Sequence, residues 1–162
     1  MRDHESHIWR GAVAGIAGGL VAAWTMNQFQ GLLQQASDQP PKEEGEDATQ
    51  KAAAAMAEPV LDRPLTRHEK QTAGPAVHYA FAALMGGLYG AVAEKAPIVS
   101  MAAGMPFGAG LWFGADELAV PGLGLAPKPS ETPASTHMSA LAAHLVYGVT
   151  TDLVRRAMRA AW

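Results

Sequence analysis

Charged residues are spread very unevenly along this chain. None lies between Arg10 and Asp38, a run of 27 residues, and a run of 23 separates Lys70 from Glu94. Runs of 20 separate Lys95 from Asp116 and Glu131 from Asp152. A helix on the surface of a soluble protein carries a charged outer face, so four such runs in one chain argue against water on all sides. A bilayer accounts for them, because about 20 apolar residues rising roughly 1.5 Å each cross a hydrocarbon core of about 30 Å. The pattern predicts an all-α, polytopic membrane protein: a single membrane domain over 1–162 with a bundle of four transmembrane helices. The spans fall near 9–33, 76–94, 98–118 and 137–158, with an ordered external loop over 34–75. The alternative, a soluble Ala/Gly-rich helical bundle, leaves the four runs unexplained.

Small residues recur inside these runs at helical spacing. Gly11, Gly15 and Gly19 repeat every four residues in "GAVAGIAGGLVAAWTMNQF"; Ala82, Gly86 and Gly90 do so in the second run, and Gly104 and Gly108 in the third. Lipid gives helices no hydrophobic reason to associate, so close backbone approach must hold them together. The stripes are expected to pack within the chain rather than to form a dimer seam. Pro106 lacks the donor for its preceding turn and is expected to kink the third span.

The first loop divides in two. "SDQPPKEEGEDATQ" is Pro-rich and acidic and reads as a solvated connector, with Pro40 external. "EDATQKAAAAMAEPV" has strong helix formers behind a cap at Asp47 or Thr49, and Pro59 is expected to end the helix, which could lie on the membrane surface. Thr66 and Glu69 are spaced as a capping box. The last loop, "AVPGLGLAPKPSETPAS", reads as irregular and external.

Charge sets the orientation. Arg2 and Arg10 precede the first span, Lys95 lies between the second and third, and Arg155, Arg156 and Arg159 finish the fourth. The positive-inside rule places these ends in the cytoplasm of a bacterial inner membrane and Lys128 outside. The first loop, with five basic and eight acidic residues from Asp38 to Lys70, is long enough to count less. Arg2 and Arg10 ahead of an apolar run also fit a signal peptide, but the run is read as a retained helix. The absence of cysteine excludes disulfides, thiolate metal sites and cysteine nucleophiles. No basic run suits nucleic acid. No GxSxG, P-loop or strand-borne GxGxxG occurs, so a non-enzymatic role is expected.

Ionisable residues inside a membrane are costly and are functional candidates. Here they are His78 in the second span, Asp116 and Glu117 ending the third, and His137 and His144 with Tyr147 in the fourth. All of the ionisable ones lie towards the external boundary, where Asn27, Gln28 and Gln30 also end the first span. Four readings fit: a structural hydrogen-bonded network, a proton-responsive cluster, a metal site, or haem held by His78 and His144. No ligand pair at HExxH or ExxH spacing favours the last two, so no cofactor is expected. Glu117 is expected to reach the fourth span, with His144 its first partner and His137 its second. At 100° per residue only one of the two acids should face the bundle well.

The glycine-rich first span, "LWFGADELAVPGLGLAPKP" and "ALAAHLVYGVTTDLVRR" together resemble the YagU family of bacterial inner-membrane proteins. The resemblance implies an inner-membrane protein associated with survival of acid stress, by an unknown mechanism and without agreed catalytic residues. On its motifs, Glu117, Pro121, Gly124, His144, Tyr147, Gly148 and Arg155 are the positions expected to matter. The competing roles are an accessory subunit of a larger membrane complex, meeting other chains through its glycine seams, and a metal- or haem-binding redox protein.

Overall fold

A computed structural model describes residues 2–37 and 46–162. Most of the acidic connector, with Pro40, lies outside the described residues. Those described form helices and short connections, with no strand among them. In chain order they are α1 (Arg2–Ala36), α2 (Ala48–Leu61), α3 (Arg67–Lys95), a turn segment (Pro97–Gly104), α4 (Met105–Trp112), a π-helical segment (Phe113–Ala119), α5 (Val120–Gly122), a single 3-10 turn (Pro129–Glu131) and α6 (Ala134–Ala160).

Three stretches are long and apolar enough to cross a membrane: His7–Ala36, Arg67–Lys95 and Pro97–Gly122. The fourth expected span, α6, is not among them, since its histidines, threonines and arginines make it less apolar. That composition has a structural reason. The face of α6 carrying His144, Tyr147, Thr151, Asp152 and Arg155 is buried inside the bundle. Helices α1 and α3 pack along their length, α6 lies against the other side of α1, and α4 lies on α6.

Glycine makes these approaches possible. Gly15 and Gly86 lie backbone to backbone, as do Gly11 and Gly90, while Gly19 meets the Ala82 carbonyl. On the other side of α1 a Cβ at Gly18 would stand 2.6 Å from the Thr151 carbonyl oxygen. Gly148 of α6 sits between Gly104 and Gly108 in the same way. A side chain at any of these positions would force helix backbones apart.

The structure corrects several sequence expectations. The third span is not a single helix kinked at Pro106. Its first part is a turn in which Ala102 and Ala103 adopt left-handed conformations (φ 46° and 53°), followed by Gly104 at φ 80°. Pro106 then stands in the first turn of α4, where a missing N–H removes no helical bond. The loop over 34–75 is shorter than expected, because α1 runs to Ala36 and α3 begins at Arg67. Pro59 does not end α2; it lies in the last turns, and the helix stops at Asp62, whose φ is 53°. Near a helix end a proline interrupts few bonds. The last loop is not wholly irregular, since it includes α5 and the 3-10 turn.

The caps follow local chemistry. Asp47 accepts from the Gln50 N–H at 2.8 Å and opens α2. Thr66 and Glu69 form a capping box at the start of α3, and Arg63 reaches the same carboxylate at 2.7 Å.

Candidate functional site

Polar groups collect at the two ends of the bundle. At the end shared by the expected loops, the π-helical segment carries Asp116 and Glu117 against the first half of α6. His137 Nδ1 lies 2.6 Å from Glu117 Oε1, and its Nε2 is 3.1 Å from the Pro129 carbonyl oxygen. His144 Nδ1 donates to the Ala140 carbonyl at 2.9 Å and lies 3.6 Å from Asp116 Oδ2. Glu117 therefore pairs with His137 rather than with His144, and His144 has Asp116 as its neighbour. Both acids face α6, contrary to the expectation that one would turn away. The π-helix is the reason: bonding from i to i+5 widens the turn, so consecutive side chains diverge less than in an α-helix.

The His137 contacts carry a chemical requirement. A peptide carbonyl only accepts, so Nε2 must carry a proton to bond Pro129. Nδ1 then faces a carboxylate, and one further proton must lie between them, on His137 or on Glu117. Without it, two acceptors would confront each other across 2.6 Å. The pair is built to hold one proton.

Around this pair lie the other residues singled out in the sequence. His78 Nε2 is buried without a hydrogen-bond partner. Its ring meets Tyr79 edge-on with centroids 5.6 Å apart, and the Tyr79 hydroxyl accepts from Asn27 of α1 at 3.5 Å. Tyr147 turns away from the histidines and donates to the Ala82 carbonyl of α3 at 2.6 Å, spanning the α1 seam. Asp47 guards the same end. Burial opposes its charge, but the Thr49 hydroxyl, the Gln50 and Thr49 N–H groups and the nearby His78 together hold it below the usual carboxylate range. Among the described residues no group of three or more histidines and acids is placed to hold a metal ion.

The opposite end holds a network that sequence reasoning missed as a site. Asp152, fully buried, lies 3.1 Å from Arg155 Nη2. Arg156 Nε comes within 2.7 Å of Asp152 Oδ2, although no N–H is aimed along that contact. Arg155 Nη2 also donates to the Ser100 hydroxyl at 2.9 Å, and Arg156 donates to the Ser100 carbonyl at 2.6 Å. Tyr89 donates to the Ser100 hydroxyl at 3.2 Å. Glu94 of α3 accepts from Arg159 at 2.9 and 3.1 Å and from Arg155 at 3.4 Å. The left-handed turn positions Ser100 here, and Gly104 lets the turn lie on Gly148 and Asp152. The resemblance names Arg155 alone of this network, and the residues themselves offer only the i, i+3 and i, i+4 spacing of Asp152 to Arg155 and Arg156 on one helix.

A family model described as a protein of unknown function, DUF1440, matches residues 61–153, more than half of the chain. The chain belongs to the DUF1440 family. No curated protein and no solved structure matches it. In this DUF1440 protein the matched region contains His78, both acids of the π-helical segment, His137, His144, Tyr147 and Asp152. Helix α1, with half of the main glycine seam, precedes it, and Arg155, Arg156 and Arg159 follow it.

Proposed function

We propose that this DUF1440 protein is a non-enzymatic inner-membrane protein that senses external acidity through its His–carboxylate pairs and contributes to acid tolerance. The observation that carries this reading is His137 held between Glu117 and the Pro129 carbonyl, a geometry complete only with a proton bound. Histidine exchanges its proton between about pH 5 and 8, so the contact between the π-helical segment and α6 strengthens as the surrounding medium becomes acidic. The resemblance to the YagU family points the same way.

In this reading α6 is a fourth span whose polar face is kept from lipid by α1 and α4. Its last basic residues, with Arg10 and Lys95, mark the cytoplasmic side, and the His–carboxylate end faces out. Trp9 and Trp162, with ring centroids 6.3 Å apart beside Arg10, are suited to the interface on that cytoplasmic side.

The test has two arms. Spin labels at Leu123→Cys and Met138→Cys, both exposed, report the distance between the turn after the π-helical segment and the start of α6. In reconstituted protein the distribution should be narrow at about pH 5 and broaden by about pH 8, the interval over which histidine titrates. Cells lacking the gene, or carrying Glu117→Gln, should survive acid challenge less well. A distance unchanged with pH, or a deletion indifferent to acid, overturns the proposal.

A second reading, an accessory subunit, draws on Gly110 and Gly114. They lie four residues apart on the third apolar stretch with no other part of the chain within 4 Å of an added Cβ, unlike the occupied seams. A larger native mass in mild detergent would favour it. The metal or haem alternative has only the proximity of His78 and His144 to the acids behind it.

A further inference from the structure

Helix α2 presents its apolar side outward. Ala53 and Ala54 are buried against α3, and the polar groups turn the same way: Gln50 fills the space left by Gly74, Lys70 lies 3.1 Å from Glu46 and 3.7 Å from Glu58, and Glu58 accepts from the Leu65 N–H at 3.0 Å. The exposed positions of the second half of the helix are Ala55, Met56, Pro59, Val60 and Leu61, none of them charged, and Lys51 lies one turn before Ala55. Met56 is 59% exposed and Val60 82%. A solvated helix docked on a protein shows the reverse arrangement.

We infer that α2 is an interfacial helix whose Met56–Val60–Leu61 edge is seated in the lipid surface around the bundle. Three observations select lipid as the occupant. First, depth: α3 has 29 residues, about 43 Å of helix. This exceeds the roughly 30 Å core by enough to project its first turns into the headgroup layer, which adds about 5–7 Å on each side. Helix α2 is docked on those turns, at Lys70 and Gly74. Second, continuity: exposed apolar side chains continue around this end of the bundle at Leu33 of α1, Leu118 and Met138, each near the end of its helix or apolar stretch. Third, area: a stable protein interface needs about 20–30 residues a side, far more than two turns of helix supply, whereas an interfacial helix needs only a shallow apolar edge. The seat also has a consequence for the polar cluster. Asp47 at the start of α2 lies beside His78, so lipid that fixes α2 fixes one wall of that cluster. The inference does not depend on the acid-sensing proposal.

The cysteine-free chain makes the test direct. Single cysteines at Met56→Cys and Val60→Cys, in the full chain reconstituted in vesicles, are spin-labelled, and their accessibility to oxygen and to a water-soluble nickel chelate is compared. Leu84→Cys, exposed on the apolar face of α3, serves as the lipid reference, and Lys128→Cys, in the last loop, as the water reference. Oxygen should outweigh the chelate at 56 and 60 as it does at 84, with a ratio severalfold above that at 128. Chelate access at 56 and 60 equal to that at 128 would place the face in water and overturn the inference. Shielding from both reagents would mean that protein covers it, with the same consequence.

Discussion

The two ends of the bundle use charge in opposite ways. At one end the cations that meet Asp152 and Glu94 are three arginines, with His7 3.2 Å from Arg159 at the edge of the network. At the other, the cation partners of two carboxylates are two histidines, the side chain type that exchanges its proton between about pH 5 and 8. The arginine end is tied into the core: Arg155 alone touches Glu94, Ser100 and Asp152 and lies over the Tyr89 ring, 5.8 Å from its centroid. The histidine end is held by one pair per acid, on a π-helical segment attached by short turns. One helix, α6, joins the two ends. A fixed anchor and an adjustable contact on the same helix allow one end to respond while the fold persists.

The largest effect should come from breaking the anchor. Asp152→Asn removes the buried carboxylate beside Arg155 and leaves that buried guanidinium with only the longer contact to Glu94 at 3.4 Å, and removing one partner of such a network costs about 3–5 kcal/mol. Thermal unfolding in mild detergent should show this loss, and it should be nearly constant between about pH 5 and 8 in a His7→Gln background, which removes the histidine 3.2 Å from Arg159. A loss that varied strongly with pH across the interval would erase the distinction between the two ends.

Next comes the seam that holds the ends in register. Gly15→Leu or Gly86→Leu drives a side chain into the facing backbone, and overpacking of this kind costs about 1–3 kcal/mol. Gly110→Leu, where nothing lies within 4 Å, should leave unfolding unchanged in the isolated protein. Equal effects at 15 and 110 would mean that the α1–α3 contact is not what the glycines serve.

How far these regions were legible in the sequence follows the same division. The charge-free runs marked the apolar stretches because desolvation of charge acts on composition alone. The Thr66–Glu69 box and the Asp47 cap were readable because each is a local pattern of a few residues. The left-handed turn was not, since alanine at 102 and 103 has no preference for positive φ, and the turn lies on α6 through Gly104, which packs on Gly148 and Asp152. The π-helical segment was equally hidden, and with it the partner of each acid: at α-helical spacing Asp116 and Glu117 could not both face α6. The anchor was read as flanking charge because arginines near a span end serve topology in most chains. Only folding α3 and the turn onto α6 brings Glu94 and Ser100 to them.

A smaller effect separates α2 from the histidine end. Asp47→Ala removes the N-cap of α2 at a cost of about 0.5–2 kcal/mol. Because the folded protein holds this carboxyl below its ordinary value, the cap's stabilisation is fully present above the unfolded value of about 3.9 and is lost as pH falls through the folded one. Hydrogen exchange in α2 should therefore be steady from about pH 8 to 5 and rise only below about pH 4, once exchange chemistry is corrected for. A transition near neutrality would assign part of the histidine response to α2.

The central claim is that the π-helical segment and α6 share a proton through Glu117 and His137. Histidine NMR titration of the intact protein beside Glu117→Gln tests it most directly. The account predicts that the His137 midpoint moves on substitution and that the fold survives because the anchor is untouched. A His137 titration identical in the two proteins would show that no proton is shared there, and would reduce the acids to a polar end of the span.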